Sequence, residues 1–260
     1  MSQLSFARDS RALKGRLDRF VWENTTPEAV LLRQLLKQHF LCFEGVGIIG
    51  GLVRDFALGG RHAFKSDLDL VIQGDPREVA QLASRVGAVA NKFGGFGYTE
   101  GPWRIDFWAL QNTWAATAGH IVVHNLADVV QCTFFDWDAV VYDLRNRRVV
   151  CDKSYFQRIH SRQLEISLRS NPGELGNLLR AARRIIRWCL TPGPVLAKFI
   201  VERLDEDTFA ALKVSERRKY GDRMLDRFSS AAQLRTVLLD GTRLQVEMVE
   251  QMALPLEPSS

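Results

Sequence analysis

Asp67 and Asp69 stand one residue apart in the run Ser66-Asp67-Leu68-Asp69-Leu70, and Asp106 sits in the apolar run Trp103-Arg104-Ile105-Asp106-Phe107-Trp108. Side chains two apart on a strand share a face. A strand through 67–70 therefore projects both carboxylates one way and turns Leu68 and Leu70 into the core. Two such carboxylates repel unless a cation lies between them. Oxygen donors of this kind suit Mg²⁺, or Mn²⁺, which keeps several waters and also binds substrate phosphates. A lone carboxylate on a later strand, Asp106, is the residue that two-metal phosphoryl transfer uses beside the attacking hydroxyl.

Upstream stands Gly50-Gly51-Leu52-Val53-Arg54-Asp55. Glycine lets a backbone come close to a ligand, and the N-terminus of a following helix offers N–H groups to an anion. A triphosphate can lie on Gly50 and Gly51 while its oxygens share metal with the aspartates, with Arg54 as a permanent cation nearby. Arg61 and Lys65 flank the acidic pair and are further candidates for phosphate contact.

The elements that must hold these residues can be read from spacing. A helix is expected over 26–40, where Thr26 can cap, Pro27 suits the first turn, and Val30, Leu31, Leu35 and Leu36 form a stripe. Strands are expected over 41–49, 67–73 and 104–110, a short helix over 52–58, a helix over 76–86, a hairpin arm or loop over 92–100, and a hairpin of 138–144 with 148–151 turning at Asn146. Beyond 152 strand signals fade. Leu175, Leu178, Leu179, Ala182, Ile185, Ile186 and Cys189 mark a broad helical stripe, and further helices are expected over 194–204 and 215–228. The reading is an α/β (α+β) head with a mixed sheet over 1–152, then an all-helical region over 153–260.

Composition is ordinary for a globular chain of 260 residues, at 46% hydrophobic and 25% charged, so no disulfide or structural metal is needed to stabilise a core. The net charge of +5 and pI near 9.2 fit a polyanionic partner such as RNA or a triphosphate. Cys42, Cys132, Cys151 and Cys189 are scattered, which argues against a zinc or disulfide framework and for a reducing compartment. The first residues carry no apolar core of signal-peptide length, and there is no apolar run of about 18 residues. A cytoplasmic protein with no membrane contact is expected. His120 and His124, four apart, could share a helix face, with no third ligand nearby in the sequence.

Gly50, Gly51, Val53, Arg54, Asp55, Leu58 and Gly59, followed by Asp67 and Asp69, match the pattern Gly-Gly-x-Val-Arg-Asp-x-x-Leu-Gly then Asp-x-Asp. The chain thereby resembles the class II tRNA CCA-adding enzymes and bacterial poly(A) polymerases. The resemblance implies a nucleotidyltransferase (polymerase-β-like) head and a helical neck. It implies metal binding by Asp67 and Asp69, a third carboxylate in Asp106, and a triphosphate side of the pocket ordered by Arg54 and Asp55. Its partners would be an NTP, ATP or CTP, and an RNA 3′ end, with tRNA the leading acceptor. Phe135, Ala139, Tyr142 and Asp143 also fit a family segment, Arg-Arg-Asp-Phe-Thr-Ile-Asn-Ala-hydrophobic-Ala-Tyr-Asp. Here its Arg-Arg-Asp positions hold Cys132, Thr133 and Phe134, and its Asn position holds Asp138.

Leu178-Leu179-Arg180-Ala181-Ala182-Arg183 resembles the family's neck helix. The preceding family motif, Glu-Asp-x-x-Arg, reads the incoming base, and its places fall on Gly173, Glu174 and Asn177. The resemblance thus marks Glu174, Asn177, Arg180 and Arg183 as nucleotide-binding candidates. Arg180, Arg183, Arg184 and Arg187 also share one helical face and could form a phosphate track. The leading expectation is NMP transfer from an NTP to an RNA 3′ end. The rivals are NMP transfer to a small molecule or protein, a toxin-like modification of tRNA, and a catalytically inactive RNA-binding module.

Overall fold

The computed structural model describes residues 5–59 and 67–240. The described chain divides into two compact units. The first runs to His160 and takes back Ser167–Asn171; the second holds Ser161–Ile166 and continues from Pro172. The segment after 152 that joins the first unit does so for a packing reason. The helix Tyr155–His160 buries Tyr155 and Ile159, and the Tyr155 hydroxyl donates to the Trp137 carbonyl at 3.1 Å. Ser167 N–H donates to Phe134 O at 2.8 Å.

The first unit is built on a seven-stranded mixed sheet. Its strands are β1 Gly45–Ile49, β2 Leu68–Gln73, β3 Val89–Ala90, β4 Phe96–Glu100, β5 Trp103–Ala109, β6 Val140–Asp143 and β7 Arg148–Cys151, in the order β3-β4-β5-β2-β1-β6-β7. Only β2 and β5 pair parallel. A parallel pair needs a crossover connection, and a helix opens it. That helix, Pro76–Arg85, is capped by Asp75, whose carboxylate accepts from Arg77 N–H at 2.8 Å. The helix Pro27–Leu35 begins as its residues dictate, with Thr26 accepting from Ala29 N–H and Pro27 in the first turn. A helix over Ser10–Asp18, capped by Asp9, was not anticipated from spacing.

Each face of the sheet has its own cover. On one, Phe107 meets Phe40 at 5.2 Å between ring centroids, and Phe20 meets Phe56 at 4.8 Å. On the other, Val71 and Val141 pack with Leu110, Val123, Leu126 and Val129, and Ile49 and Trp108 lie against that cluster. This second face carries the even-spaced set Asp106 and Trp108 of β5 and Asp69 and Val71 of β2. The cover from 110–132 lies over its Trp108 and Val71 end, beyond the aspartates. His120 and His124 lie on this cover in irregular chain, not on one helix as their spacing suggested. The His120 ring instead stacks near Trp114 at 5.1 Å.

The second unit is helical apart from a two-residue parallel pairing of Gln163–Leu164 with Thr191–Pro192, a small departure from the all-helical expectation. Its helices are Glu174–Trp188, Pro194–Arg203, Glu206–Tyr220 and Ala231–Leu239. The expected helix over 215–228 is displaced. The observed one starts earlier because Asp205 caps it, accepting from Thr208 N–H at 2.8 Å, and stops at Gly221, where φ is +70°. A 3-10 turn, Met224–Arg227, follows. Among the described residues no helix is long and apolar enough to cross a membrane.

Candidate active site

β1 ends at Ile49 and the chain turns at once, at Gly50 (φ +66°, ψ −128°), into the helix Gly51–Leu58. A side chain at that positive φ is strained. An added Cβ there would stand 3.5 Å from Asp69 Oδ2, so the bend lies directly beside the carboxylate. Asp69 pairs with Ile49 across the antiparallel β1–β2 ladder and with Asp106 across the parallel β2–β5 ladder. Registered residues on neighbouring strands point to the same face. The long-range pairing of β2 with β5 therefore brings together two aspartates 37 positions apart. Asp67 immediately precedes β2, with a half-exposed side chain.

Burial and the neighbouring charges of Asp106, Asp67 and Asp138 push the Asp69 carboxyl up to about 7, against an opposing pull from Arg54. Burial also raises Asp106; the Arg104 charge opposes this and the Asp67 charge adds to it. A carboxylate set this reluctant to hold its negative charges fits a divalent cation, and its oxygens are the hard donors that Mg²⁺ takes. Even so, no three His, Cys, Asp or Glu side chains among the described residues stand ready-grouped around a metal position. Asp67 faces the Arg104 guanidinium, with Oδ2 3.6 Å from Nε, and Asp106 Oδ2 is 3.9 Å from Nη2 of the same group.

The Arg54 guanidinium lies between two carboxylates. Its Nη1 donates to Asp138 Oδ1 at 2.6 Å, and its Nε and Nη2 donate to Asp55 Oδ1 at 3.0 and 2.7 Å. Both carboxylates hold the guanidinium firmly in its charged form despite burial. Asp55 is buried in the same clamp. Gly50, Gly51, Arg54, Asp55, Asp67, Asp69 and Asp106 thus gather at one end of the sheet. Arg61 and Lys65 lie outside the described residues.

The candidates in the second unit are engaged within that unit. Glu174 accepts from Arg203 Nε at 3.0 Å, and Asn177 is buried and accepts from Arg180. Arg183 is buried, donates to Glu216 and Asp222, and lies 4.0 Å from the Tyr220 ring centroid. The proposed basic face at 180, 183, 184 and 187 therefore loses Arg183, which faces the neighbouring helix Glu206–Tyr220.

The chain folds like several solved CCA-adding enzymes. A CCA-adding enzyme solved with CTP aligns at a TM-score of 0.54 and 17% identity, over 88% of this chain and 54% of its own. The Thermotoga maritima CCA-adding enzyme complexed with tRNA aligns at 0.53 and 17%, over 99% and 58%. An apo CCA-adding enzyme aligns at 0.50 and 18%, over 90% and 55%. The fold is that of the CCA-adding enzymes. This chain spans a little over half the length of those CCA-adding enzymes. No protein-family model matches it, and neither does any curated protein sequence.

Three site features were not anticipated. Asp138, on the turn before β6, completes the Arg54 clamp and adds negative charge near Asp69. Arg104 is two residues from Asp106, so the alternation of β5 already placed it on the acidic face. Gly97 of β4 is registered opposite Asp106, and an added Cβ would meet Asp106 Oδ1 at 3.0 Å. Gly97→Ala is accordingly expected to shift that carboxylate by a few tenths of an ångström and lower kcat/KM by about tenfold, with little change in Tm. An unchanged kcat/KM in steady-state assays would show that Asp106 has no positional role.

Proposed function

We propose that this chain is a metal-dependent nucleotidyltransferase that moves a nucleoside monophosphate from an NTP to the 3′ hydroxyl of an RNA, with tRNA as the leading acceptor, releasing pyrophosphate. In this reading the first unit is the nucleotidyltransferase head and the helical second unit a neck and C-terminal region. The observation that carries the reading is the side-by-side register of Asp69 and Asp106 next to the Gly50 bend, with Asp67 adjoining. Asp67, Asp69 and Asp106 would hold Mg²⁺, or Mn²⁺ in its place, which would supply charge neutralisation at the triphosphate and a more acidic acceptor hydroxyl.

The protein's own contribution is positioning. Gly50 and Gly51 let the nucleotide's phosphates approach the backbone at the start of the helix Gly51–Leu58. Asp106, on the strand beside Asp69, would orient the acceptor hydroxyl. The Arg54 clamp fixes that helix relative to the turn before β6. The solved CCA-adding enzymes with CTP and with tRNA share this fold, which supports CTP as a donor and tRNA as acceptor.

Incubation of the chain with each labelled NTP, Mg²⁺ and total RNA tests the reading. Label from ATP or CTP is expected on RNA 3′ ends and is lost with Asp67→Ala. Label only on protein or small molecules would remove the RNA acceptor. No transfer together with no Mn²⁺ binding would leave an inactive RNA-binding module.

A further inference from the structure

We propose that Arg104 is the triphosphate-binding cation of this site and that, in the absence of a divalent ion, it stands in for that ion between Asp67 and Asp106. The inference rests on the nucleotidyltransferase reading and names within it the residue that grips the nucleotide's tail.

The site needs a cation for the phosphates, and Arg54 is spent. Three of its guanidinium contacts go to Asp55 and Asp138, and its side chain is 12% exposed. Arg104 is the opposite case, with a side chain 63% exposed. It contacts Asp67 and Asp106 at 3.6 and 3.9 Å, which is attraction by charge at distances beyond a hydrogen bond. A guanidinium held that loosely can swing away on its long stem, while β5 anchors its backbone two residues from Asp106.

Charge decides the exchange. Asp67, Asp69 and Asp106 are three acidic groups, and Asp138 adds a fourth charge that bears on Asp69. A single positive charge at the rim neutralises them poorly, and a divalent ion does so better. A divalent ion held by Asp67, Asp69 and Asp106 would repel the guanidinium. The phosphates that accompany it offer the planar, bidentate acceptor that arginine matches best. Arg104 would thus pass from carboxylate to phosphate as the site fills.

The two halves of this exchange make opposite predictions for one substitution. In Arg104→Gln, Mn²⁺ binding without nucleotide, read by electron paramagnetic resonance, is expected to tighten by about threefold to tenfold because a competing cation is gone. The KM for the NTP is expected to rise by about tenfold or more because a charge-assisted phosphate contact is lost. Arg104→Lys, which keeps the charge without the fork, should leave Mn²⁺ affinity near that of the parent and recover part of the KM. A purely structural role for Arg104 would weaken both together. Unchanged or weaker Mn²⁺ binding in Arg104→Gln overturns the stand-in, and an unchanged KM overturns the phosphate contact. Either result, obtained while the parent chain binds Mn²⁺ and transfers label and Asp69→Ala does neither, leaves the nucleotidyltransferase reading intact. A parent chain that binds no Mn²⁺ removes that reading and this inference with it.

Discussion

Asp69→Asn is expected to lower kcat for nucleotide transfer by about a thousandfold or more, the loss of several kcal/mol of metal-borne charge stabilisation, while the chain folds as before. Asp69 is the most central of the acidic groups. It is paired with Asp106 on one side and with Ile49 on the other, and Gly50 bends beside it. Asparagine fills the same space and removes the charge. The same substitution has a second readout in metal-free protein. The folded Asp69 carboxyl ionises at about 7, against an ordinary value of 3.8. The folded state therefore holds a proton that the unfolded chain releases between those values, and this group's contribution to stability falls as pH rises from about 4 through 7. Asp69→Asn abolishes that decline. Its Tm in chelator should match the parent's near pH 4 and exceed it at pH 8 by a few degrees, on the order of 1–3 kcal/mol. Added Mg²⁺ should stabilise the parent and not the variant. Near-parental turnover by Asp69→Asn would end the metal assignment, and parallel Tm–pH curves would show that Asp69 is not strained by its neighbours.

The second large effect is on stability. Arg54→Leu removes the cation shared by the buried Asp55 and the partly buried Asp138; their side chains are 7% and 17% exposed. Removing one partner of a buried charge set costs about 3–5 kcal/mol, which in a unit of this size lowers Tm by roughly 10 °C. A further Asp138→Asn change should recover part of the loss, because one of the two charges that Arg54 balanced goes with it. Thermal melts of the parent, the single and the double variant measure the coupling. A double variant no more stable than Arg54→Leu would show that Asp138 is not energetically tied to Arg54. Activity in Arg54→Leu should fall with the loss of the helix position, since the clamp joins Gly51–Leu58 to the turn before β6, 84 residues away in sequence.

Local structure was legible in the residues themselves. The period of two through Asp67, Leu68, Asp69 and Leu70 announced a strand edge with acids on one face, and burial follows that alternation. Thr26, Pro27, Pro76 and the stripe from Leu178 to Ile186 announced helices, because capping and 3.6-residue periodicity act within a few residues of chain. The pair Gly50-Gly51 marked a bend, and a bend with φ of +66° is there.

What spacing could not reveal is which partner each charge takes. Arg54 takes Asp138 as a second carboxylate beside Asp55, and that depends on where β6 pairs with β1. Arg183 looks like part of an exposed basic face until the helix Glu206–Tyr220 packs on it and brings Glu216. Asp106 joins Asp69 only through a parallel pairing set by the whole crossover between β2 and β5. The residue types and their local faces thus determined the candidate chemistry of this chain. Strand register and helix packing, which sum contacts from distant segments, decided which charges are spent on the fold and which remain for a ligand.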